Sequence, residues 1–160
     1  MRIGEICTRP VVQVGRSATL REAAAVMARQ QVGTLVVVAN TDGNVIPIGM
    51  LTDRDLAMAA LAPGAEPDRV PIGEVMTPKP VVCREDDGLF EVITVMRKRG
   101  IRRMPVVDGL GALVGLIAVD DIVGALAEHL GELARALVGD ELLETRRYGK
   151  RKTTITRRRR

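Results

Sequence analysis

The feature that most constrains this chain of 160 residues is an internal duplication. The segment Ile3–Thr8 returns as Ile72–Thr77, with four of six side chains identical. Further along, Gly49–Asp55 corresponds to Gly115–Asp121. A unit of about 60 residues is too small to bury both faces of its own sheet, so we expect the two copies to cover each other. We call residues 1–61 the first repeat and residues 72–130 the second repeat.

Both repeats show the same order of predicted elements, strand, helix, strand, strand, helix. Apolar residues at helical spacing indicate the first helix, and a turn rich in Asn, Asp and Gly predicts a hairpin between the second and third strands. Gly33 and Gly100 are expected to end the first helices in the left-handed conformation. The predicted strands are Val11–Val14, Thr34–Val38 and Ile46–Leu51, then Val81–Cys83, Met104–Val107 and Leu113–Ala118; the second helices are Asp53–Leu61 and Val119–Leu130.

These elements predict an α/β (α+β) fold of two β-α-β-β-α units packed about an approximate two-fold axis, because the same patch then meets itself. Residues 62–71 contain three prolines and a glycine and are predicted to be a linker. Residues 131–160 are predicted to form a further amphipathic helix, over Gly131 to Arg147, and a basic tail.

The duplicated motifs resemble a known family. Met76–Val81, Arg103–Asp108 and the two strand-to-helix segments make residues 3–129 similar to a CBS domain pair, also called a Bateman module. The resemblance implies a non-catalytic regulatory module with clefts between its two motifs. It implies reversible binding of AMP, ADP, ATP or S-adenosylmethionine and no required cofactor. It also implies a homodimer that regulates an attached or partner protein.

Thr52 and Asp55 are the leading candidates for ligand contact. The segment Gly49–Asp55 fits the family's Gly-x-x-Thr-x-x-Asp signature, in which the carboxylate accepts hydrogen bonds from the ribose hydroxyls and the threonine hydroxyl assists. The same spacing is also that of a helix capping box. Both interpretations stay open, and the two roles do not exclude each other. The second repeat keeps Asp121 but has Ala118 in place of the threonine.

Basic residues show the opposite asymmetry between the repeats. By family analogy, Arg102 and Arg103 precede the second-repeat valine strand where a cation points at phosphate, and a planar guanidinium suits that task. The first repeat has Gly33 and Thr34 there. A solvated surface pair is the alternative. Arg54 could reach phosphate or form a salt bridge on the helix surface.

Apolar residues are expected to hold the base. By family analogy the candidates are Val12, Ser17 and Val37 in the first repeat, and Cys83 and Val106 in the second. The alternative for each valine is an ordinary place in the core.

Several classes of function have no support in the sequence. His129 is the only histidine, Cys7 and Cys83 are the only cysteines, and no cluster has the spacing of metal ligands or of a nucleophile with its base. We therefore expect no enzyme and no metal site. The chain has no apolar run of the length of a signal peptide or a membrane span, so a cytoplasmic protein without membrane contact is expected.

Charge is divided unevenly along the chain. Residues 146–160 hold nine basic residues and no acid, which leaves 15 bases and 20 acids, a net charge of −5, in the rest. Such a run of like charges is usually solvated and disordered. The alternative is an arm that contacts nucleic acid or another anionic partner, on a CBS pair that serves as a ligand-free scaffold.

Overall fold

The architecture is a mixed α/β fold of two sheets and five α-helices. The computed structural model describes the backbone of residues 1–156 and the side chains of residues 1–137. The helices are α1 (Ile3–Ile6), α2 (Leu20–Gln30), α3 (Asp53–Ala60), α4 (Leu89–Arg99) and α5 (Val119–Thr156). The strands are β1 (Gln13–Gly15), β2 (Thr34–Thr41), β3 (Asn44–Thr52), β4 (Thr77–Pro78), β5 (Cys83–Arg84), β6 (Arg103–Val107) and β7 (Leu113–Ala118). Residues Met1–Ile122 form one compact unit, and Val123–Arg160 form a second unit that contains the rest of α5.

The first sheet has the order β1-β2-β3-β4, with β1 parallel to β2 and the other pairs antiparallel. Its hairpin between β2 and β3 is a two-residue turn in which Asp42 and Gly43 have φ of 52° and 81°. Two positive φ values in a two-residue loop match the right-handed twist of the strands, which is why an Asp-Gly pair is found here. The predicted hairpin is present.

The second sheet has the order β5-β6-β7 and repeats the same pattern, β5 parallel to β6 and β6 antiparallel to β7. The turn after β6 is held by Asp108, whose carboxylate accepts hydrogen bonds from the backbone N–H groups of Leu110 and Ala112 at 2.8 and 2.9 Å. The strand predicted over Leu113–Ala118 has those bounds in the structure.

The two repeats exchange their first residues. Strand β4 belongs to the second repeat, yet it pairs with β3 of the first, with Thr77 opposite Met50. In the reverse direction Thr8 of the first repeat forms a bridge with Leu116 in β7. Each exchanged segment therefore completes the sheet of the other repeat, and this reciprocity is the two-fold relation that the duplication predicted.

Backbone hydrogen bonds of the exchanged segments follow the same symmetry. Ile3 N–H donates to Asp87 C=O at 3.1 Å, and the corresponding Ile72 N–H donates to Ala18 C=O at 2.8 Å. Both isoleucine side chains are fully buried. A buried apolar anchor with its backbone paired gains hydrophobic free energy without an unsatisfied polar group.

Two glycines allow the exchanged segments to approach the sheets. A Cβ added to Gly49 would lie 2.3 Å from the Met76 sulfur, and one added to Gly115 would lie 2.5 Å from the Cys7 sulfur. Gly49 and Gly115 are corresponding positions, as are Met76 and Cys7. The glycines are required because the partner repeat occupies the space of a side chain.

Side chains alternate across β2 and β3. Leu35, Val37 and Leu51 point to one face, where they join the core beneath α2 and α3. Because successive residues of a strand point to opposite faces, Thr34 and Thr52 lie on the other face, and they are cross-strand partners. Met50, which alternates with Gly49 and Leu51, lies on that second face as well.

Several predicted element boundaries differ from the structure; the strand predicted over Val81–Cys83, for example, spans Cys83–Arg84. Helix α2 ends with Gln31 as its left-handed C-cap, with φ of 53°, two residues before the expected Gly33, whereas Gly100 with φ of 65° ends α4 as predicted. The second repeat's last helix does not end at Leu130. It continues through Gly131 to Thr156, because each glycine in it weakens the helix by only about 1 kcal/mol and leaves its hydrogen bonds intact.

The predictions for the basic tail concern side chains outside the described residues. Within the part of the chain that is described, no helix is both long enough and apolar enough to cross a membrane.

Candidate functional site

A cleft of about 340 Å³ opens between the two repeats, and we call it the first cleft. The first repeat contributes Thr34, Met50 and Thr52. The second repeat contributes an apolar wall, formed by Pro80, Val81 and Ile101, and three cationic side chains, Lys79, Arg102 and Arg103.

The exchange of first residues builds this cleft. Thr77 is paired with Met50, and the following Lys79 N–H donates to Ile48 C=O at 3.0 Å. Lys79 has φ of 52°, a left-handed conformation that is uncommon for a residue with a side chain. The turn directs the chain from β4 into Pro80 and Val81, which line the cleft. Local strain of this kind is often found where a structure shapes a binding site.

Thr52 and Asp55 are joined at the edge of the cleft. Thr52 is the N-cap of α3, and its hydroxyl accepts from the Asp55 N–H at 3.2 Å. The Asp55 carboxylate oxygen Oδ2 accepts from the Thr52 N–H at 2.9 Å and from the Thr52 hydroxyl at 2.7 Å. The capping box is therefore present, and it holds the half-buried carboxylate in a fixed position next to a residue that lines the cleft.

The hydrogen-bond capacity of this pair is only partly used. Asp55 Oδ2 holds both described hydrogen bonds, and a carboxylate offers about four lone-pair sites over its two oxygens. The other oxygen, Oδ1, accepts no hydrogen bond from the described residues. A fixed carboxylate of this kind suits a pair of vicinal hydroxyl groups.

Arg102 and Arg103 stand at the mouth of the cleft and are both exposed. Arg102 lies 3.7 Å from the Asp120 carboxylate, with the two side chains 76% and 72% exposed. An ion pair that is so exposed contributes little stability and is easily exchanged for another anion. The two guanidinium groups and Lys79 give the mouth a positive charge.

Thr34 is the one buried hydroxyl in this cleft wall. Its side chain is 7% exposed, and Oγ1 has no hydrogen-bond partner among the described residues. A buried hydroxyl without a partner costs about 1–3 kcal/mol. Thr34 is thus a polar group left unsatisfied beside Thr52 in the ligand-free chain.

The remaining predicted residues lie elsewhere. Arg54 is exposed on α3, and Ser17 is exposed in the turn after β1. Val37 and Val106 are fully buried strand residues, and Val12 packs against the core of the first repeat. None of these five is among the residues that line the first cleft.

Cys83 and Asp121 belong to the second repeat's own structure. Cys83 is buried, its thiol donates to Pro105 C=O at 3.8 Å, and burial raises its pKa to about 12. Asp121 accepts from the Ala118 N–H at 2.8 Å at the start of α5. It repeats half of the capping arrangement of Asp55, because Ala118 has no hydroxyl.

Sequence reasoning did not identify the apolar wall. The apolar residues that line the cleft are Met50, Pro80, Val81 and Ile101, and none of them was among the residues predicted to hold the base. The segment Met76–Val81 contains two of these residues, but the sequence analysis used it only as evidence for the family resemblance. No group of three or more His, Cys, Asp or Glu side chains that could hold a metal ion occurs in the described residues.

Comparison with known proteins decides the family. The CBS domain profile matches residues 3–62 and again residues 72–128. The chain belongs to the CBS domain family. A CBS-family relative, the CBS domain-containing protein YhcV of Bacillus subtilis, is 34% identical over 120 residues, which cover 75% of this chain and 81% of YhcV.

One further relative and one solved structure are also similar to this chain. The uncharacterized protein MK0525 of Methanopyrus kandleri is 33% identical over 121 residues, 76% of this chain, and the match spans 60% of that relative's length. The structure of CBS domain protein PAE2072 from Pyrobaculum aerophilum complexed with AMP superposes with a TM-score of 0.68. It is 28% identical, and the match covers 80% of this chain and 99% of PAE2072.

Proposed function

We propose that this CBS pair is a non-catalytic sensor that binds an adenine nucleotide, or a related adenosyl ligand, in the first cleft. The observation that carries the proposal is the meeting of two unlike groups in one cavity. The first repeat supplies Thr52, which lines the cleft and is hydrogen-bonded to the Asp55 carboxylate, and the second supplies Arg102 and Arg103. A nucleotide needs a hydrogen-bond acceptor for its ribose hydroxyls at one end and cationic groups for its phosphate at the other.

In the proposed complex, each wall of the cleft holds a different part of the ligand. Asp55 accepts hydrogen bonds from the ribose hydroxyls, since charge-assisted bonds of this kind are the stronger ones. The base packs against Pro80, Val81 and Ile101, which is how most small-molecule sites hold an apolar ring. The guanidinium groups of Arg102 and Arg103 receive the phosphate. The structure of the similar protein PAE2072, which is complexed with AMP, supports an adenine nucleotide as the ligand class.

A thermal-shift series tests the proposal. AMP, ADP, ATP or S-adenosylmethionine at ~100 times its dissociation constant is expected to stabilise the chain by roughly 2.7 kcal/mol, because it binds only the folded state. Asp55→Ala should remove most of that shift. Asp53→Ala is the matched control, since Asp53 is an exposed acid in the same helical turn whose carboxylate accepts from the Arg54 N–H and not from the cleft residue Thr52. A ligand shift unchanged in Asp55→Ala would contradict the site.

A regulatory role requires a protein whose activity responds to ligand binding, which we call the receiver. We propose that the receiver is a partner protein and that the chain acts as a homodimer. Met58, Leu61 and Phe90 support an assembly, because they are large apolar side chains that are 68–84% exposed. Sedimentation equilibrium of the full chain measures its oligomeric state. A monomer at all concentrations would contradict the proposed homodimer.

A further inference from the structure

We propose that the two symmetry-related clefts of this chain are unequal, so that one chain binds one ligand, in the first cleft, and that this ligand is an anionic nucleoside phosphate. The inference rests on the proposed function and adds to it the number of sites and the charge class of the ligand. It follows from comparing each residue of the first cleft with its symmetry mate.

The second cleft is defined by the positions that correspond to those of the first. The exchanged segments fix the correspondence, because Thr8 bridges Leu116 as Thr77 pairs with Met50. The strand registers extend it, since Thr34 lies opposite Thr52 as Arg103 lies opposite Ala118. The corresponding pairs, first cleft before second, are Met50 and Leu116, Thr52 and Ala118, Asp55 and Asp121, Arg102 and Gly33, and Arg103 and Thr34.

The sugar-binding end is weakened in the second cleft. Asp121 is held by one hydrogen bond, from the Ala118 N–H, whereas Asp55 is held by two and has a hydroxyl beside it. Ala118 offers a ligand neither a donor nor an acceptor. The carboxylate alone is also what any helix start favours, so Asp121 is explained by its place at the start of α5.

The phosphate-binding end is absent from the second cleft. Gly33 and Thr34 replace the two arginines, so neither position supplies a positive charge. Arg9, which directly follows Thr8 of the exchanged segment, is held in a closer and less exposed ion pair than Arg102. Its guanidinium donates to the Glu85 carboxylate at 3.1 Å and to the Cys7 sulfur at 3.3 Å, and these hydrogen bonds, that to Cys7 first, raise its pKa. A phosphate in the second cleft would have to displace Glu85.

The charge of the first cleft selects among adenosyl ligands. Lys79, Arg102 and Arg103 face one ligand end, and the only acid near them in the described contacts is Asp120, 3.7 Å from Arg102 in an exposed pair. A phosphate gains charge-assisted hydrogen bonds from this set. A sulfonium group carries a positive charge and is repelled by it, and a neutral thioether gains nothing. AMP should therefore bind roughly tenfold or more tightly than 5′-methylthioadenosine or S-adenosylmethionine.

Isothermal titration of the full chain tests both parts. AMP is expected to bind with one site per chain. Asp55→Ala should abolish that site, and Asp121→Ala, the matched control in the second cleft, should leave both the stoichiometry and the affinity unchanged. The double variant Arg102→Ala, Arg103→Ala should lose the preference for AMP over 5′-methylthioadenosine, while Arg97→Ala, Arg99→Ala on α4 should keep it.

The outcomes separate this inference from the proposed function. Two AMP sites per chain, or loss of AMP binding in Asp121→Ala, would overturn the inequality of the clefts. Binding of S-adenosylmethionine as tight as that of AMP would overturn the charge class while the adenosyl site itself stands. If none of these adenosyl ligands binds the wild-type chain, the proposed function fails, and this inference fails with it.

Discussion

At the scale of single residues, the wall of the first cleft contains one threonine hydroxyl that is hydrogen-bonded and one that has no partner among the described residues. The Thr52 hydroxyl donates to Asp55 and accepts from its backbone N–H, so its donor is already committed. The neighbouring Thr34 hydroxyl is buried without a partner among the described residues. The ligand-free chain therefore retains a small energetic penalty in the cleft wall, which a side chain of equal shape without the hydroxyl would remove.

Thr34→Val is expected to raise the melting temperature of the ligand-free chain, with a gain of up to about 1 kcal/mol, because valine fills the same space and needs no hydrogen bond. Differential scanning calorimetry measures the change. Thr34→Ser serves as the control, since it keeps the polar group and removes a methyl group, and it should destabilise. A valine variant that melts below the wild type would show that Thr34 Oγ1 has a partner.

At the scale of elements, the exchange of β4 is the feature that sequence reasoning could not predict. The order of elements was predictable because helical and strand periodicities are local, and Leu113–Ala118 kept its predicted bounds. Strand β4 has only two residues, so it has no period, and its partner β3 lies in the other repeat. The sequence analysis predicted Arg103 and Thr52 as separate ligand contacts, each in its own repeat. Only the exchange places them in one cleft.

Gly49→Ala is expected to destabilise the chain by about 1–3 kcal/mol, because the new methyl group overlaps the Met76 sulfur and forces the exchanged segment outward. Urea unfolding measures the loss. Met76→Ala in the same chain should recover part of it, since the obstructing atoms are then removed. Gly15→Ala is the control, because a Cβ there meets nothing within 4 Å. Equal losses in both glycine variants would contradict the close approach.

At the scale of the molecule, residues Met1–Ile122 behave as one compact unit although they contain two repeats. Ile3 is buried against the second repeat, and Ile72 belongs to the core cluster of the first. If either repeat unfolds, the isoleucine that the other repeat buries in it, Ile3 or Ile72, becomes exposed. The duplication in the sequence predicted two similar units, and the exchange makes them a single cooperative one.

Leu51→Ala and Ile117→Ala are both expected to lower one shared unfolding transition by about 2–5 kcal/mol, since each side chain is fully buried in a different repeat. The infrared amide band of β-sheet follows this transition without interference from helices. A variant that splits the sheet signal into two steps, one for each repeat, would refute the coupling.

The reciprocal cap between Thr52 and Asp55 has a consequence for how occupancy is sensed. The carboxylate is oriented before anything binds, so a sugar docking there causes little loss of conformational freedom. The long side chains of Arg102 and Arg103 are the groups that must give up rotamer freedom, which for an arginine costs up to about 2 kcal/mol. In the proposed function, the change available to a receiver is therefore the ordering and charge neutralisation of Arg102 and Arg103, while the capped carboxylate keeps its orientation.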